Sequence, residues 1–282
     1  MLDKRLVIVS GKGGVGKSAV ASGLALMGQR HGLRILAVEM ESGGGGLSSH
    51  FGTGPLAFEP REVRPGLHAM QMVRSDALLE YLSLQLRLPG IGRFGAVARA
   101  FDALATAAPA VREIVTIGKI LWEVREDRWD MVVVDAPPTG QIASYLRAPT
   151  SISELVTTGR IRAQAGWMAE TLGDPASTQL LLVTLAEELP TVETLETIDW
   201  VRQTGVVTEP LVVTNRVLEE VGSTSSPTGP IGDMITLHRS LVVEQRKWLE
   251  LLPADLSIPY LFGLFTPGEV AAHISDDLEA LA

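Results

Sequence analysis

Eight consecutive residues near the start of the chain have the types and spacing of a phosphate-binding loop. They fit the pattern G-x-x-x-x-G-K-[ST] and read Gly11, Lys12, Gly13, Gly14, Val15, Gly16, Lys17 and Ser18. Glycines let successive backbone N–H groups point at phosphate oxygens, and a following helix adds about half a positive charge at its N-terminus. We expect Lys17 to reach the β and γ phosphates of a nucleotide and the Ser18 hydroxyl to ligate magnesium, with Ala19 ending the binding segment. The alternative is a glycine-rich turn with an incidental lysine, and the complete spacing argues against it.

An aspartate after a second apolar run could complete a metal site. Asp135 ends the run MVVVD, and phosphoryl transfer needs a carboxylate near the metal ion. Aspartates also follow strands as ordinary caps, so the residues that come next matter. In residues 136–140 two prolines stiffen the chain, while Thr139 and Gly140 restore hydrogen bonding and mobility. We therefore expect Asp135 and Ser18 to hold Mg²⁺, and the segment after Asp135 to respond to the γ phosphate.

Apolar runs and helical patterns place both motifs in an α/β fold. Five runs are continuously apolar, as in strands covered by helices on both faces: residues 5–10, 34–39, 131–135, 179–184 and 211–215. Segments with helical spacing lie between them, at residues 17–31, 75–88, 110–128, 151–172, 190–202 and 235–252. This alternation predicts a doubly wound, mostly parallel sheet with helices on both faces.

The remaining segments bear on domain organisation. Residues 67–72 and 256–261 are further candidate strands, and Pro259 restricts the second to a sheet edge or a strand end. A tetraglycine occupies residues 43–46, and residues 222–232 are rich in turn formers, so we expect a mobile surface loop there. No shift in composition divides the chain. We predict one domain over residues 1–282, with a helical sub-layer around residues 75–128.

Composition and charge exclude several classes of function. The chain has 282 residues, with 24 Lys and Arg against 33 Asp and Glu; the formal net charge of −9 argues against nucleic-acid binding. It has no cysteine, so it lacks the thiolates that bind zinc, iron–sulfur clusters or arsenite. Apolar runs end before the ~18 residues of a spanning helix, and the first residues lack the apolar core of a signal peptide. We expect a cytoplasmic protein with no integral membrane segment and no zinc or arsenite site.

Lys12, a second lysine within the loop, gives the sequence a resemblance to a known family. It marks the deviant Walker A class of P-loop ATPases, and residues 135–140 resemble the D-x-x-P-T-G switch of the arsenite-pump and tail-anchored-protein targeting ATPases. Residues 212–216 and 258–269 are similar to that family's adenine-reading segment and closing motif. The resemblance implies the P-loop NTPase fold, with ATP or ADP and Mg²⁺ as cofactors. It also implies a dimer in which Lys12 contacts the partner's nucleotide, and a contact from Asn215 to adenine, although an asparagine there can equally satisfy a turn.

The first switch of this family has no full match here. Relatives carry D-P-A-H-N-L-S-D, in which the last aspartate positions the attacking water, whereas residues 41–51 read ESGGGGLSSHF. Aligning on residues 47–48 puts Ser49 in the place of that aspartate. Because a serine cannot take a proton near neutral pH, we expect slow hydrolysis, or hydrolysis that depends on Glu41, His50 or a partner chain. His50 is otherwise an ordinary loop histidine.

Other features of the named relatives are missing. Gln141 replaces the family's usual histidine after the second switch, and no Cys-x-x-Cys clasp is present. Only residues 150–178 separate the second switch from the next strand, in place of a long Met-rich insert. That segment could form one amphipathic helix, and a stripe such as Ile161, Trp167, Met168 and Leu172 is more often core than binding surface.

Together these features predict an ATP-binding and ATP-hydrolysing dimeric switch with Lys12, Lys17 and Asp135 as its catalytic residues. It would couple the nucleotide state to an unidentified protein client, and the helical sub-layer is the expected client surface by elimination. The alternative is a hydrolysis-deficient regulatory subunit of a heterodimer with a paralogous ATPase, as Ser49 and the tetraglycine suggest. A small-molecule kinase ranks last, because no residue pattern supplies an acceptor site.

Overall fold

Eight strands in the described part of the chain form one sheet. The computed structural model describes residues 1–40, 46–86, 110–222 and 228–282. The strands are β1 (Leu6–Gly11), β2 (Ile35–Glu39), β3 (Arg61–Arg64), β4 (Leu67–Gln71), β5 (Met131–Asp135), β6 (Thr178–Leu185), β7 (Leu211–Val217) and β8 (Leu256–Pro259).

The sheet is parallel apart from one edge strand. Its order is β3-β4-β2-β5-β1-β6-β7-β8, and only β3 and β4 pair antiparallel. The register sets Val9 and Glu39, on the two neighbours of β5, opposite Asp135. The predicted doubly wound, mostly parallel sheet is therefore confirmed, and the carboxyl ends of β1, β2 and β5 meet at one edge.

Helices connect the strands across both faces. They are α1 (Lys17–Arg30), α2 (Gly46–Phe51), α3 (Arg74–Leu86), α4 (Ala110–Arg125), α5 (Thr139–Leu155), α6 (Arg160–Gly173), α7 (Glu188–Thr204), α8 (Pro230–Leu251) and α9 (Pro267–Asp277), followed by a 3₁₀ turn (Leu278–Leu281). Thr266 and Glu269 form a capping box that starts α9. None of the described helices is long and apolar enough to cross a membrane.

Two cores lie on opposite faces of the sheet. Along β1, Leu6 and Ile8 belong to the core shared with α3 to α7, whereas Val7 and Val9 belong to the core shared with α1, α2 and α9. Every residue of β1 is buried, as its continuous apolar run predicts. The side chains that alternate along β1 therefore fill the two cores in turn.

The helix predicted over residues 151–172 is wrong, because two helices share that segment. α5 ends at Leu155, Val156 is extended (φ −106°, ψ 110°), and Gly159, with φ 91°, precedes α6. On α6, Met168 and Leu172 are buried while Ile161 is exposed, so the predicted stripe is largely core. β3, α2 and α9 are not among the predicted elements. β8 is an edge strand that ends at Pro259, as the proline predicts.

Several predictions fall outside the described residues. They concern Glu41, the first three residues of the tetraglycine, residues 87–109 of the helical sub-layer, and residues 223–227 of the expected surface loop. α3 and α4, the described helices of the sub-layer, begin at Arg74 and Ala110, close to the predicted positions.

Candidate functional site

The phosphate-binding loop joins β1 to α1 through glycines that tolerate no side chain at two positions. Gly11 has φ +150°, and a Cβ there would lie 2.0 Å from the Val183 carbonyl oxygen on β6. Gly16 has φ +99°, and a Cβ there would lie 2.4 Å from Nδ2 of Asn215 on β7. The loop is therefore pressed against the ends of two neighbouring strands, and glycine is needed both for the backbone angle and for the close approach.

The Asn215 side chain forms a hydrogen bond with the phosphate-binding loop. It is buried at the end of β7, where Nδ2 donates to the Val15 carbonyl oxygen (2.9 Å) and Oδ1 accepts the Arg216 backbone N–H (2.9 Å). Both ends of the amide thus have partners within the chain. The expected contact from Asn215 to adenine stays a prediction, and the bond to Val15 is a loop-bracing role that the sequence does not reveal.

Ser18 and Asp135 converge on the start of α2. A Cβ built on Gly46 would lie 3.0 Å from Ser18 Oγ and 3.2 Å from Asp135 Oδ2, so both oxygens face the same small space. A hydroxyl and a carboxylate oxygen are the hard ligands that Mg²⁺ prefers, and Mg²⁺ usually completes its shell with water and substrate phosphates. The described residues contain no group of three or more His, Cys, Asp or Glu side chains suited to a metal ion. The pair therefore fits a magnesium ion that a nucleotide helps to hold.

Glu39 is a second acidic residue at this edge, and the sequence analysis did not single it out. It ends β2 opposite Asp135, is 6% exposed, and accepts the Leu47 backbone N–H at 3.2 Å. Burial raises the pKa of the Glu39 carboxyl, and hydrogen bonds from the first amides of α2 partly oppose that rise. Glu39 thereby anchors α2, which carries Ser49. One signal in the sequence could have identified Glu39: it ends an apolar run, as Asp135 does, and two such strands can be neighbours in a parallel sheet.

Two of the first-switch candidates, Ser49 and His50, lie on α2. Ser49 is exposed, and the Nδ1 atom of His50 lies 2.7 Å from the Gly46 carbonyl oxygen within the same short helix. Gln141 is exposed in the first turn of α5. Ser49, His50 and Gln141 carry no carboxylate. Glu41, the other side chain proposed to replace the missing aspartate, lies outside the described residues.

Lys12 and Thr139 share one partner, Glu193 on α7. Lys12 Nζ forms an ion pair with Glu193 Oε1, and Thr139 Oγ1 donates to Glu193 Oε2 at 3.2 Å. Within the loop, Lys17 Nζ donates to the Lys12 carbonyl oxygen at 3.4 Å. Glu193 is another site residue that the sequence analysis missed, because its partners are 181 and 54 positions away along the chain.

Two hydrogen bonds connect the residues after Asp135 to β1, the strand that leads into the phosphate-binding loop. Ser10, the last side chain of β1 before the loop, donates from Oγ to the Pro137 carbonyl oxygen at 2.7 Å. Ala136 donates its backbone N–H to Val9 at 2.9 Å. The residues after Asp135 therefore start from positions fixed by β1, and α5 begins immediately afterwards at Thr139.

A cavity of about 740 Å³ lies among α3, α4, α5 and α6. Its wall is mostly apolar, and its polar atoms are largely paired: Tyr81 Oη donates to Gln164 Oε1 (3.2 Å), and Lys119 Nζ lies 2.7 Å from Glu80 Oε2. The apolar lining side chains include Leu78, Ile114, Val115, Trp122, Ile152, Val156, Trp167 and Met168. Because α5 contributes Ile152, one helix links the second switch to this cavity.

Comparison with known proteins identifies the same group that the motifs suggest. Residues 4–168 match the family described as anion-transporting ATPase. The chain is 37% identical to ATPase BagA of Mycobacterium tuberculosis over 210 residues, which make up 71% of this chain and 61% of that protein. It is 24% identical to ATPase get3 of Neurospora crassa over 166 residues, 57% of this chain and 48% of that protein.

A third relative belongs to an archaeon. A Halobacterium salinarum protein with the provisional name arsenical pump-driving ATPase is 29% identical over 238 residues, 77% of this chain and 36% of that protein. The matched regions thus span about three fifths of the length of BagA and about half or less of the other two relatives.

Proposed function

The chain belongs to the anion-transporting ATPase family, and on that premise we propose that it binds and hydrolyses ATP with Mg²⁺ and works as a dimeric molecular switch. The observation that carries the proposal is the convergence of Ser18 Oγ and Asp135 Oδ2 on one space beside Gly46. These oxygens come from the phosphate loop and from the strand end before the second switch. A switch that distinguishes ATP from ADP needs those two segments side by side.

The chain's own residues divide the work of binding. The loop amides orient the phosphates and the Lys17 ammonium neutralises the β and γ oxygens. Ala19 and the rest of the first turn of α1 bring the positive end of the helix to the same place. Bound Mg²⁺ would neutralise charge on the phosphates, held by Ser18 and Asp135.

Hydrolysis should be slow in the isolated chain. Aligned on residues 47–48, Ser49 takes the place of the aspartate that positions water in relatives, and a hydroxyl cannot accept the proton of the attacking water. This observation also favours the second candidate, a subunit that binds ATP but depends on a paralogous partner for hydrolysis. The two candidates share the nucleotide site and differ in which chain completes it.

The client is proposed to contact the helical sub-layer. α5 begins at the second switch with Thr139 and reaches the apolar cavity at Ile152, with Pro149 between them, so a shift at the switch would be carried to the cavity wall along one helix. An apolar segment of a partner protein suits a wall of this composition. We identify no client beyond that chemistry.

The proposal is tested by separating ATP binding from turnover at the metal-binding residue. Asp135→Asn removes the ligand charge but keeps the shape, so ATP affinity should stay within about threefold while magnesium-dependent phosphate release falls at least tenfold, the effect of roughly 1.4 kcal/mol in the barrier. Asp127→Asn, an exposed aspartate just before β5, is the matched control. Unchanged turnover in Asp135→Asn would move the metal site elsewhere and overturn this assignment.

A further inference from the structure

Glu193 connects three separate parts of the nucleotide site. Its two carboxylate oxygens are divided between Lys12 in the phosphate loop and Thr139 at the start of α5. Its backbone carbonyl accepts the Thr197 hydroxyl at 2.7 Å within α7. The loop, the second switch and α7 therefore meet at one side chain, which is about one third exposed.

This arrangement fixes where the Lys12 ammonium points. Glu193 belongs to the same chain as Lys12, so the positive charge of Lys12 is neutralised within one chain. To reach the nucleotide of a second copy the Lys12 ammonium has to move away from its own chain, and the ion pair with Glu193 opposes that movement. The Lys12 ammonium would then exchange the Glu193 carboxylate for the polyphosphate of the nucleotide.

We infer that Glu193 is a positioning residue that keeps Lys12 within its own subunit until a nucleoside triphosphate draws it across to a second copy. The inference rests on the proposed function, since it needs an ATP-linked dimer. The charge of the triphosphate competes with Glu193 for the ammonium, whereas a diphosphate offers no γ phosphate to compete. When Lys12 leaves, Glu193 loses its ion pair but keeps its hydrogen bond with Thr139, the first residue of α5. The second switch therefore also responds to the binding of the triphosphate.

Removing the charge of Glu193 should make ATP-linked self-association easier. Glu193→Gln keeps the length of the side chain and an oxygen for Thr139, so the fold is preserved and only the ion pair is lost. An ion pair whose side chains are about one third exposed contributes little, and two such pairs must break per dimer, so the apparent dissociation constant of the dimer should fall roughly fivefold in Mg-ATP. It should not change in Mg-ADP.

The experiment is sedimentation velocity over a concentration series with Mg-ATP, with Mg-ADP and without nucleotide. The variants are Glu193→Gln, Lys12→Ala and the double variant, and Glu196→Gln, an exposed glutamate one turn further along α7, is the control. We expect tighter ATP-linked association for Glu193→Gln, none of that gain in the double variant, and wild-type behaviour for Glu196→Gln. A purely structural role of Glu193 would affect all nucleotide states alike and would not depend on Lys12.

The outcomes distinguish this inference from the proposal beneath it. Equal or weaker association of Glu193→Gln, or a gain that persists without Lys12, would overturn the role of Glu193 while leaving the ATP-linked dimer intact. A wild-type chain that does not associate in Mg-ATP at any concentration would overturn the dimeric switch, and this inference with it.

Discussion

At the scale of single residues, Lys17 has the most direct role in the proposed site. It follows Gly16 at the first position of α1, and its Nζ is turned back over the loop to within 3.4 Å of the Lys12 carbonyl oxygen. In the proposed site this places the Lys17 charge beside the loop that would bind the terminal phosphates of a nucleotide.

Lys17→Ala should weaken ATP binding by about ten- to a hundredfold, because hydrogen bonds to charged groups contribute roughly 1.5–3 kcal/mol. Titration calorimetry with Mg-ATP measures the loss. Lys247→Ala on the exposed side of α8 serves as the control and should bind as the wild type does. If Lys17→Ala bound ATP with unchanged affinity, the loop would not be the nucleotide site.

Glu39 offers a test that depends on pH. Burial raises its pKa in the folded chain above the unfolded value, so the fold favours the protonated form. Stability from this group is present at low pH and is lost as the pH rises through the unfolded pKa towards the raised folded one. Glutamine cannot ionise but can still accept the Leu47 N–H.

Glu39→Gln should therefore be more stable than the wild type at neutral pH, and the difference should shrink as the pH falls from the raised folded pKa of Glu39 towards about 4.3, the ordinary pKa of a glutamate, where it should be lost. Thermal unfolding from pH 4 to pH 8, without nucleotide or magnesium, follows the difference, with the exposed Glu59→Gln as the control. A difference that did not vary with pH would mean that Glu39 is not a buried ionisable group in the folded chain.

At the scale of elements, the loop depends on Gly16 meeting Asn215. The φ of +99° and the 2.4 Å approach to Nδ2 leave no room for a methyl group, and Asn215 is itself held by Val15 and Arg216. Gly16→Ala should cost about 1–3 kcal/mol of stability in the nucleotide-free chain, the usual range for a residue forced into a disfavoured conformation. Chemical denaturation measures it.

Gly13 provides the matched control within the same loop. A Cβ at Gly13 meets nothing within 4 Å, so Gly13→Ala should leave the nucleotide-free stability within about 0.5 kcal/mol of the wild type. If the two alanine variants were equally stable, the close approach of Gly16 to β7 would not contribute to holding the loop.

The strands of the central sheet are the elements that the sequence predicts best. β1 and β5 are continuous apolar runs, and the hydrophobic effect buries such a run on both faces wherever it lies in the sheet. β3 is not predictable in this way, because REVR at an edge carries no apolar pattern. The break between α5 and α6 depends on the backbone of residues 156–159, where helical periodicity alone continues without interruption.

The residues of the candidate site also differ in whether the sequence predicts them. The loop and Asp135 are predictable because each is a local pattern next to an apolar strand. Glu39 and Glu193 are not predictable, because their partners lie far away along the chain and meet them only in the folded sheet. Glu39 is opposite Asp135 on a neighbouring strand, and Glu193 forms an ion pair with Lys12. Contacts between distant parts of the chain leave no spacing to read in one sequence.

At the scale of the whole molecule, one edge of the sheet gathers every part of the proposed switch. The loop, Glu39, Asp135 and Asn215 all lie at or near the carboxyl ends of parallel strands, which is where open α/β sheets bind ligands. From this edge α5 leads to the apolar cavity. On the way α5 contributes Ile142 and Leu146 to one of the two cores, so the proposed route from the nucleotide to a partner passes through that core.

The central claim is that two copies of the chain form a functional ATPase through Lys12. The most direct measurement is ATP hydrolysis by the purified chain with Mg²⁺ over a series of protein concentrations, for the wild type and for Lys12→Ala. Turnover per chain should rise with concentration in the wild type and should be lost in Lys12→Ala. Turnover that is independent of concentration and unaffected by Lys12→Ala would contradict the account, and ATP that binds without being hydrolysed at any concentration would assign the chain to a heterodimer instead.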